Sequence, residues 1–352
     1  MTQARLLSIA TAAPPYVIDQ KVAAATTAEH FKGKVFRTAD LLALFENTGI
    51  RTRRAVRPLP WYAEARDWPG RNDAYLEAAE ALYLEAAQKA LLGAGLSVAD
   101  VATVVTVSST GISTPSLEAR VHGRLGLRPD VRRVPVFGLG CGGGVSGLSV
   151  AGRLARADPG RPVLLVVVEL CTLSCRPDEA SKANIVATAL FGDGAAAAVV
   201  VAGREYGVGR EIEADGEHLW PDTLDIMGWR IDPVGFGVVL ASDLPVFAAG
   251  NLPAAFDRFL LSAPFARSDV ARFVCHPGGA KVLPALEAAI GAEEGALDAE
   301  REVLAEFGNM SAPTVFFVLE RVLKAGEAGR LVMTALGPGF TASFLALGPA
   351  HA

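Results

Sequence analysis

FGLGCGGGVSGLSVAGRLARA (residues 137–157) and FGNMSAPTVFFVLERVLKA (307–325) decide the fold. Each opens on Phe-Gly, passes through small residues and runs into an apolar stretch of helical character. Two further pairs keep the same order. LLGAGLSVADVATVVTVSSTG (91–111) resembles LLSAPFARSDVARFVCHPGG (260–279), and RPVLLVVVELCTL (161–173) resembles GRLVMTALGPGF (329–340). Self-similarity in a fixed order marks a duplicated unit, here helix end, turn, strand and loop. Two α/β halves packed together bring their paired loops to one central place. The join is expected near Gly203, where the apolar run gives way to GREYGVGREIEADGE, so the halves are 1–203 and 204–352.

The 352 residues are 51% apolar and 20% charged, with 36 Gly and 21 Pro, which excludes a disordered or fibrous chain. The net charge of −5, with Lys and Arg scattered, gives no nucleic-acid footprint. Cysteines at 141, 171, 175 and 275 form no CxxC pair, so neither a metal site nor a disulfide framework is expected. Residues 1–16 lack the long apolar core of a signal peptide, and the apolar run 183–202 is broken by Gly192-Asp193-Gly194. A cytoplasmic location without a membrane span is expected.

Runs at Val101–Ser108, Arg133–Phe137, Val163–Glu169 and Ala195–Val201 read as strands buried on both faces. Tyr75–Leu92 has apolar residues at a spacing of three to four and reads as an amphipathic helix closed by Gly93.

Cys141 lies after a strand and at the start of a helix, between glycines that permit a tight turn and close approach of a substrate. The helix N-terminus lowers a thiol pKa and holds a developing oxyanion. A small buried hydrophobe is the bland alternative for such a cysteine. The same turn spells G-x-G-x-x-G through Gly138, Gly140 and Gly143, and Glu169 ends the next strand where a ribose-binding acid could stand, so a dinucleotide site is a rival reading. His276 in FVCHPGG and Asn309 in FGNMSAP occupy loops of the repeat. Either is ordinary alone, as a core histidine or a turn residue. Together with Cys141 they supply a nucleophile, its proton partner and an amide donor.

GLGCGGG, ATALFGDGAA, CHPGG, GNMSAPT and LGPGFTASFLAL, in this order over nearly the whole chain, resemble type III polyketide synthases of the chalcone synthase superfamily. The resemblance implies a homodimer with a five-layer αβαβα thiolase-like fold. It implies an acyl-CoA starter held on Cys141 and extended by decarboxylative condensation with malonyl-CoA, the CoA thioesters being substrates and no cofactor being needed. His276 would be an imidazolium paired with the Cys141 thiolate, and His276 and Asn309 would hold the malonyl thioester carbonyl. Phe191 matches the aromatic gate, Val238 replaces a second gating phenylalanine, and Gly337, Pro338, Gly339 and Phe340 match the loop that shapes the cavity wall. Thr110, Cys171 and Cys175 align with cavity or tunnel positions whose small size suits a long acyl tail. Trp229 replaces a small cavity residue, and Thr114 aligns with the residue lent to the partner subunit.

Where the plant enzymes bind CoA phosphates with basic residues, this chain has Asp40, Ala43 and Asn47. Arg51, Arg53, Arg54 and Lys281 are the candidate substitutes, and delivery of the starter by an acyl carrier protein stays open. RPLPWYAEARDWPGRNDAYLEAA and DIMGWRIDPVGFGVVLASDLP look most like the bacterial branch that makes alkylresorcinols and alkylpyrones from long-chain starters. Two other functions remain: a single condensation of the ketoacyl synthase III kind, whose HQAN is here HPGG, and a non-catalytic acyl-CoA or dinucleotide binder.

Overall fold

Strand Val163–Leu170 is buried along its whole length and divides its side chains by parity. Val163, Leu165 and Val167 join one core, and Leu164, Val166, Val168 and Leu170 join another. A strand covered on both faces must do this, because successive side chains point to opposite sides. In this computed structural model, which describes residues 3–31, 37–203 and 209–350, the second half repeats the division. Leu331, Met333 and Ala335 face the shared inner core, while Val332 and Leu336 face an outer one.

The inner core holds helices Gly143–Ala157 and Thr314–Lys324, which belong to the matching segments 137–157 and 307–325. Helices Trp68–Gly93 and Leu117–Leu125 cover the outside of the first half. Leu244–Ser262 and Leu283–Ile290 cover the second. The result is helix, sheet, helix, sheet, helix, the five-layer thiolase-like α/β arrangement. The strands follow one another in space as Val270–Cys275, Arg330–Gly337, Thr341–Leu347, Arg210–Leu219, Ala4–Ala12, Asp193–Ala202, Val163–Leu170, Thr103–Val107 and Arg132–Val136. In the nine-stranded sheet the two halves join where Arg5 and Leu6 pair with Glu211 and Arg210. Residue 204, where the second half was expected to begin, lies outside the described residues.

Two expectations need correction. The long helix begins at Trp68 rather than Tyr75, because Asp67 accepts the Gly70 N–H at 3.0 Å and Pro69 suits a first turn. Arg132–Val136 is an edge strand with an exposed face, and Phe137 beyond it is 57% exposed.

The glycines around Cys141 make room for the protein's own second half. A Cβ on Gly144 would lie 2.3 Å from the Ala312 carbonyl oxygen, and one on Gly140, at φ +46°, would lie 2.7 Å from the Pro338 ring. The carbonyl is backbone and cannot move aside as a flexible side chain could. Gly144→Ala is therefore expected to destabilise the chain by about 1–3 kcal/mol, read as a lower denaturation midpoint.

Candidate active site

Cys141 sits in the short turn Gly140–Gly142, immediately before the inner helix Gly143–Ala157. The Ser311 and Asn309 side chains lie beside its thiol. His276 follows strand Val270–Cys275, and its backbone N–H donates to Thr334 O at 2.8 Å. Asn309 and Ser311 come from the turn that opens the other inner helix. Ser311 has φ +58°, a left-handed conformation that costs about 1–2 kcal/mol. It is held by its N–H donating to Asn309 Oδ1 at 2.7 Å and by its carbonyl accepting from Thr314 Oγ1 at 2.8 Å.

Asn309 ties three loops together. Its Nδ2 donates to Gly278 O in the His276 loop at 2.9 Å. Its backbone N–H donates to Leu190 O at 2.8 Å, and its carbonyl accepts from Gly192 N at 2.9 Å, so Phe191 is pinned between them. One amide hydrogen of Asn309 is spent on Gly278 and the second remains for a ligand.

The His276 side chain is buried, and neither ring nitrogen has a hydrogen-bond partner. Burial pushes the imidazole down to about 4 and the Cys141 thiol up to about 11, the latter against the lowering effect of Ser311 and Asn309. The imidazolium–thiolate pair implied by the resemblance is therefore not what burial gives either group separately. Burial alone thus favours the neutral form of both groups.

Glu169, the alternative ribose-binding acid, is fully buried at the end of its strand. Both oxygens accept the Ser109 N–H at 3.0 Å and Oε2 accepts the Thr110 hydroxyl at 2.7 Å. It cannot reach a ribose, and the dinucleotide reading falls with it. Burial raises its carboxyl to about 8, so it is mostly protonated at neutral pH.

Four aromatic rings form a row beside these loops. Phe191 packs edge-on to Trp229 with centroids 6.2 Å apart, Trp229 lies 5.8 Å from Phe236, and Phe236 lies 5.9 Å from Trp68. Val238 pairs with Trp229 across strands Met227–Asp232 and Gly235–Leu240. Thr110 shares a small cavity with Ser174, Leu173 and Phe236. Cys171 is fully buried beside Glu169.

Cys175 lines an apolar pocket with Ile18, Phe31 and Tyr62. Ser174, which ends the 3₁₀ turn Cys171–Ser174 and lines the small cavity with Thr110, is not singled out by the sequence. Gly337–Gly339 backs the Cys141 turn, with a Cβ on Gly337 falling 2.9 Å from Leu139 O. Phe340 is fully buried against Trp220 and Phe247 in the outer core.

Of the basic residues, Arg53 cannot meet a phosphate. Its buried guanidinium donates to the carbonyls of Thr188, Ala189 and Phe191 and to Gln20 Oε1, closing the end of helix Lys182–Leu190. Arg51 is exposed but paired with Glu302 at 2.8 Å, and Arg54 lies over the Phe307 ring at 6.0 Å. Lys281 is exposed beyond the His276 loop. Asp40 pairs with Arg37, and Ala43 and Asn47 are exposed.

His276→Ala is expected to leave Cys141 alkylation by iodoacetamide rising about tenfold per pH unit between pH 7 and 9, as a thiol near 11 must. A variant as reactive as the parent at pH 7 would show that His276 does not hold the proton.

The chain matches the family described as chalcone and stilbene synthases over 1–204 for the N-terminal domain and 211–350 for the C-terminal domain. It is 42% identical over 315 residues to the 1,3,6,8-tetrahydroxynaphthalene synthase of Streptomyces peucetius subsp. caesius, covering 87% of this chain and 83% of that one. It is 34% identical over 356 residues to a putative chalcone synthase of Bacillus subtilis, covering 97% of each. The crystal structure of 1,3,6,8-tetrahydroxynaphthalene synthase from Streptomyces coelicolor A3(2), a bacterial type III polyketide synthase, superposes with a TM-score of 0.93 at 29% identity, covering 99% of this chain and 100% of that one. Among the described residues no helix is long and apolar enough to cross a membrane. The chain belongs to the chalcone and stilbene synthase family and is a type III polyketide synthase, an acyltransferase whose substrates are CoA thioesters.

Proposed function

We propose that the chain extends a short starter with malonyl-CoA several times and closes the product into a compact aromatic ring system. The observation that carries this reading is Trp229, whose ring fills the space between Phe191 and Phe236 where a long alkyl tail would otherwise run. The relative at 42% identity is named for a ten-carbon tetrahydroxy aromatic, the size that five two-carbon units build. A second reading, a medium- or long-chain starter giving an alkylpyrone or alkylresorcinol, is favoured by the small residues Thr110, Cys171, Cys175 and Val238 and by the apolar pocket that Cys175 lines.

In either case the residues divide the work in the same way. Cys141 Sγ, its proton taken by His276, attacks the starter thioester carbonyl, and CoA leaves as the thiol after receiving that proton. The malonyl thioester oxygen then fits between the unpartnered His276 ring and the free Asn309 amide hydrogen. Loss of CO₂ leaves an enolate whose charge grows on that oxygen, so the two donors act most strongly as the charge forms. The enolate carbon attacks the Cys141 thioester and the Cys141 thiolate departs, leaving the lengthened chain on CoA. That thiolate then attacks the new CoA thioester, CoA leaves and takes up a proton as the thiol, and the chain is back on sulfur for the next round. Phe191, tied by backbone to Asn309, places an apolar ring beside the reacting group.

The chain works as a homodimer in this reading, with the exposed Thr114 lent to the partner's cavity near the exposed edge strand that ends before Phe137. Lys281 is the candidate contact for CoA phosphates, and a carrier-protein donor stays a second route for the starter.

Asn309→Ala is expected to lower malonyl-CoA decarboxylation by about 10²–10³, measured as released CO₂. Trp229→Ala is expected to add products from octanoyl- and lauroyl-CoA that the parent does not make, read by mass spectrometry of a starter panel. If the parent already prefers these starters, the second reading replaces the first.

A further inference from the structure

One hairpin carries much of the cavity wall. Strands Met227–Asp232 and Gly235–Leu240 pair with each other and stand outside the nine-stranded sheet, and they present Trp229, Phe236 and Val238. Among the described residues, the hydrogen bonds that join these strands to the rest of the molecule come from Arg176. Its Nη1 donates to Asp232 Oδ2 at 2.7 Å, and its Nη2 donates to Asp232 Oδ1 at 3.0 Å and to Gly235 O at 2.8 Å. The guanidinium thus grips both flanks of the turn at Pro233-Val234. Gly237 lacks a side chain where the guanidinium lies, since a Cβ there would fall 3.2 Å from Nη1.

The other end of Arg176 is equally fixed. Its backbone N–H donates to Asn184 Oδ1 at 3.1 Å, and its carbonyl accepts from Asn184 Nδ2 at 2.7 Å. Asn184 is buried in helix Lys182–Leu190, which ends at the Phe191 gate. Arg176 also lies two residues beyond Ser174. Arg176 therefore joins the hairpin, through a buried guanidinium 4% exposed whose planar fork fixes direction as well as distance, to the helix that leads to Phe191, through its backbone.

We propose that Arg176 is a positioning residue that sets the shape of the cavity in which the polyketide grows, and thereby the length at which the product is released. This rests on the reading of the hairpin as the cavity wall. Neither Arg176 nor Asp232 touches the reacting atoms. Their effect runs through Trp229 and Phe236, where a displacement of a few tenths of an ångström alters which intermediate fits the path to ring closure.

The test uses the full chain with malonyl-CoA, product separation by mass spectrometry, and Cys141 alkylation measured alongside. Arg176→Met and Asp232→Asn are each expected to change the ratio of shorter to full-length products by about tenfold. Arg176→Lys, which keeps the cation but loses the fork, should move the ratio less. Cys141 alkylation should stay within about twofold of the parent, because Cys141 belongs to another part of the fold. Trp229→Ala is measured beside them. If it changes the products while Arg176→Met and Asp232→Asn do not, the role of Arg176 is overturned and the hairpin reading stands. If none of the three changes the products, the hairpin is not the wall. Product and alkylation falling together in both Arg176→Met and Asp232→Asn would mark the pair as general support for the fold, which also overturns the proposal.

Discussion

The architecture depends on how closely two inner helices approach. Gly144 faces the Ala312 carbonyl where even a methyl group would not fit, and Gly140 faces Pro338 in the same way. This contact presses the Cys141 turn against the Asn309–Ser311 turn and so places thiol, hydroxyl and amide within hydrogen-bonding reach of one another. A sulfur nucleophile could sit at the head of many helices. Here the head of the helix is also the seam between two halves, so its catalytic partners can come from the other half of the chain.

The site that results is poor in charge. His276 has no partner on either nitrogen, Glu169 is mostly protonated, and Arg53 spends its charge on the end of the gate helix. In so dry a place each remaining donor is worth more than it would be in water, and an isolated charge is costly. This suits a reaction whose charge appears transiently on a thioester oxygen and then moves on to carbon. It also explains why Asn309 anchors the gate through its backbone while keeping a side-chain hydrogen for the ligand. The residue that receives the charge and the residue that bounds the cavity cannot drift apart.

Much of this is legible in the amino-acid sequence. The strands are readable because a sheet covered on both faces demands runs such as VLLVVVEL, and the duplication is readable because both halves use the same elements in the same order. Cys141, His276 and Asn309 stand out as a set since three loops of one scheme carry them. The errors have a common origin. Arg53 and Arg51 are two residues apart and equally basic on paper, yet one caps a helix inside the molecule while the other pairs with Glu302 at the surface. Ser174 is unremarkable on paper, and only the folded turn brings it into one small cavity with Thr110.

The sequence by itself determined the duplicated α/β plan and singled out Cys141, His276 and Asn309, because periodicity, local turn chemistry and short motifs are carried by neighbouring residues. Only the tertiary structure decided which charges are paired, which carboxyls burial raises, and that a hairpin outside the main sheet is bound to the Arg176 guanidinium. Those properties depend on burial and on partners far away in the chain, and neither is set until the two halves have packed.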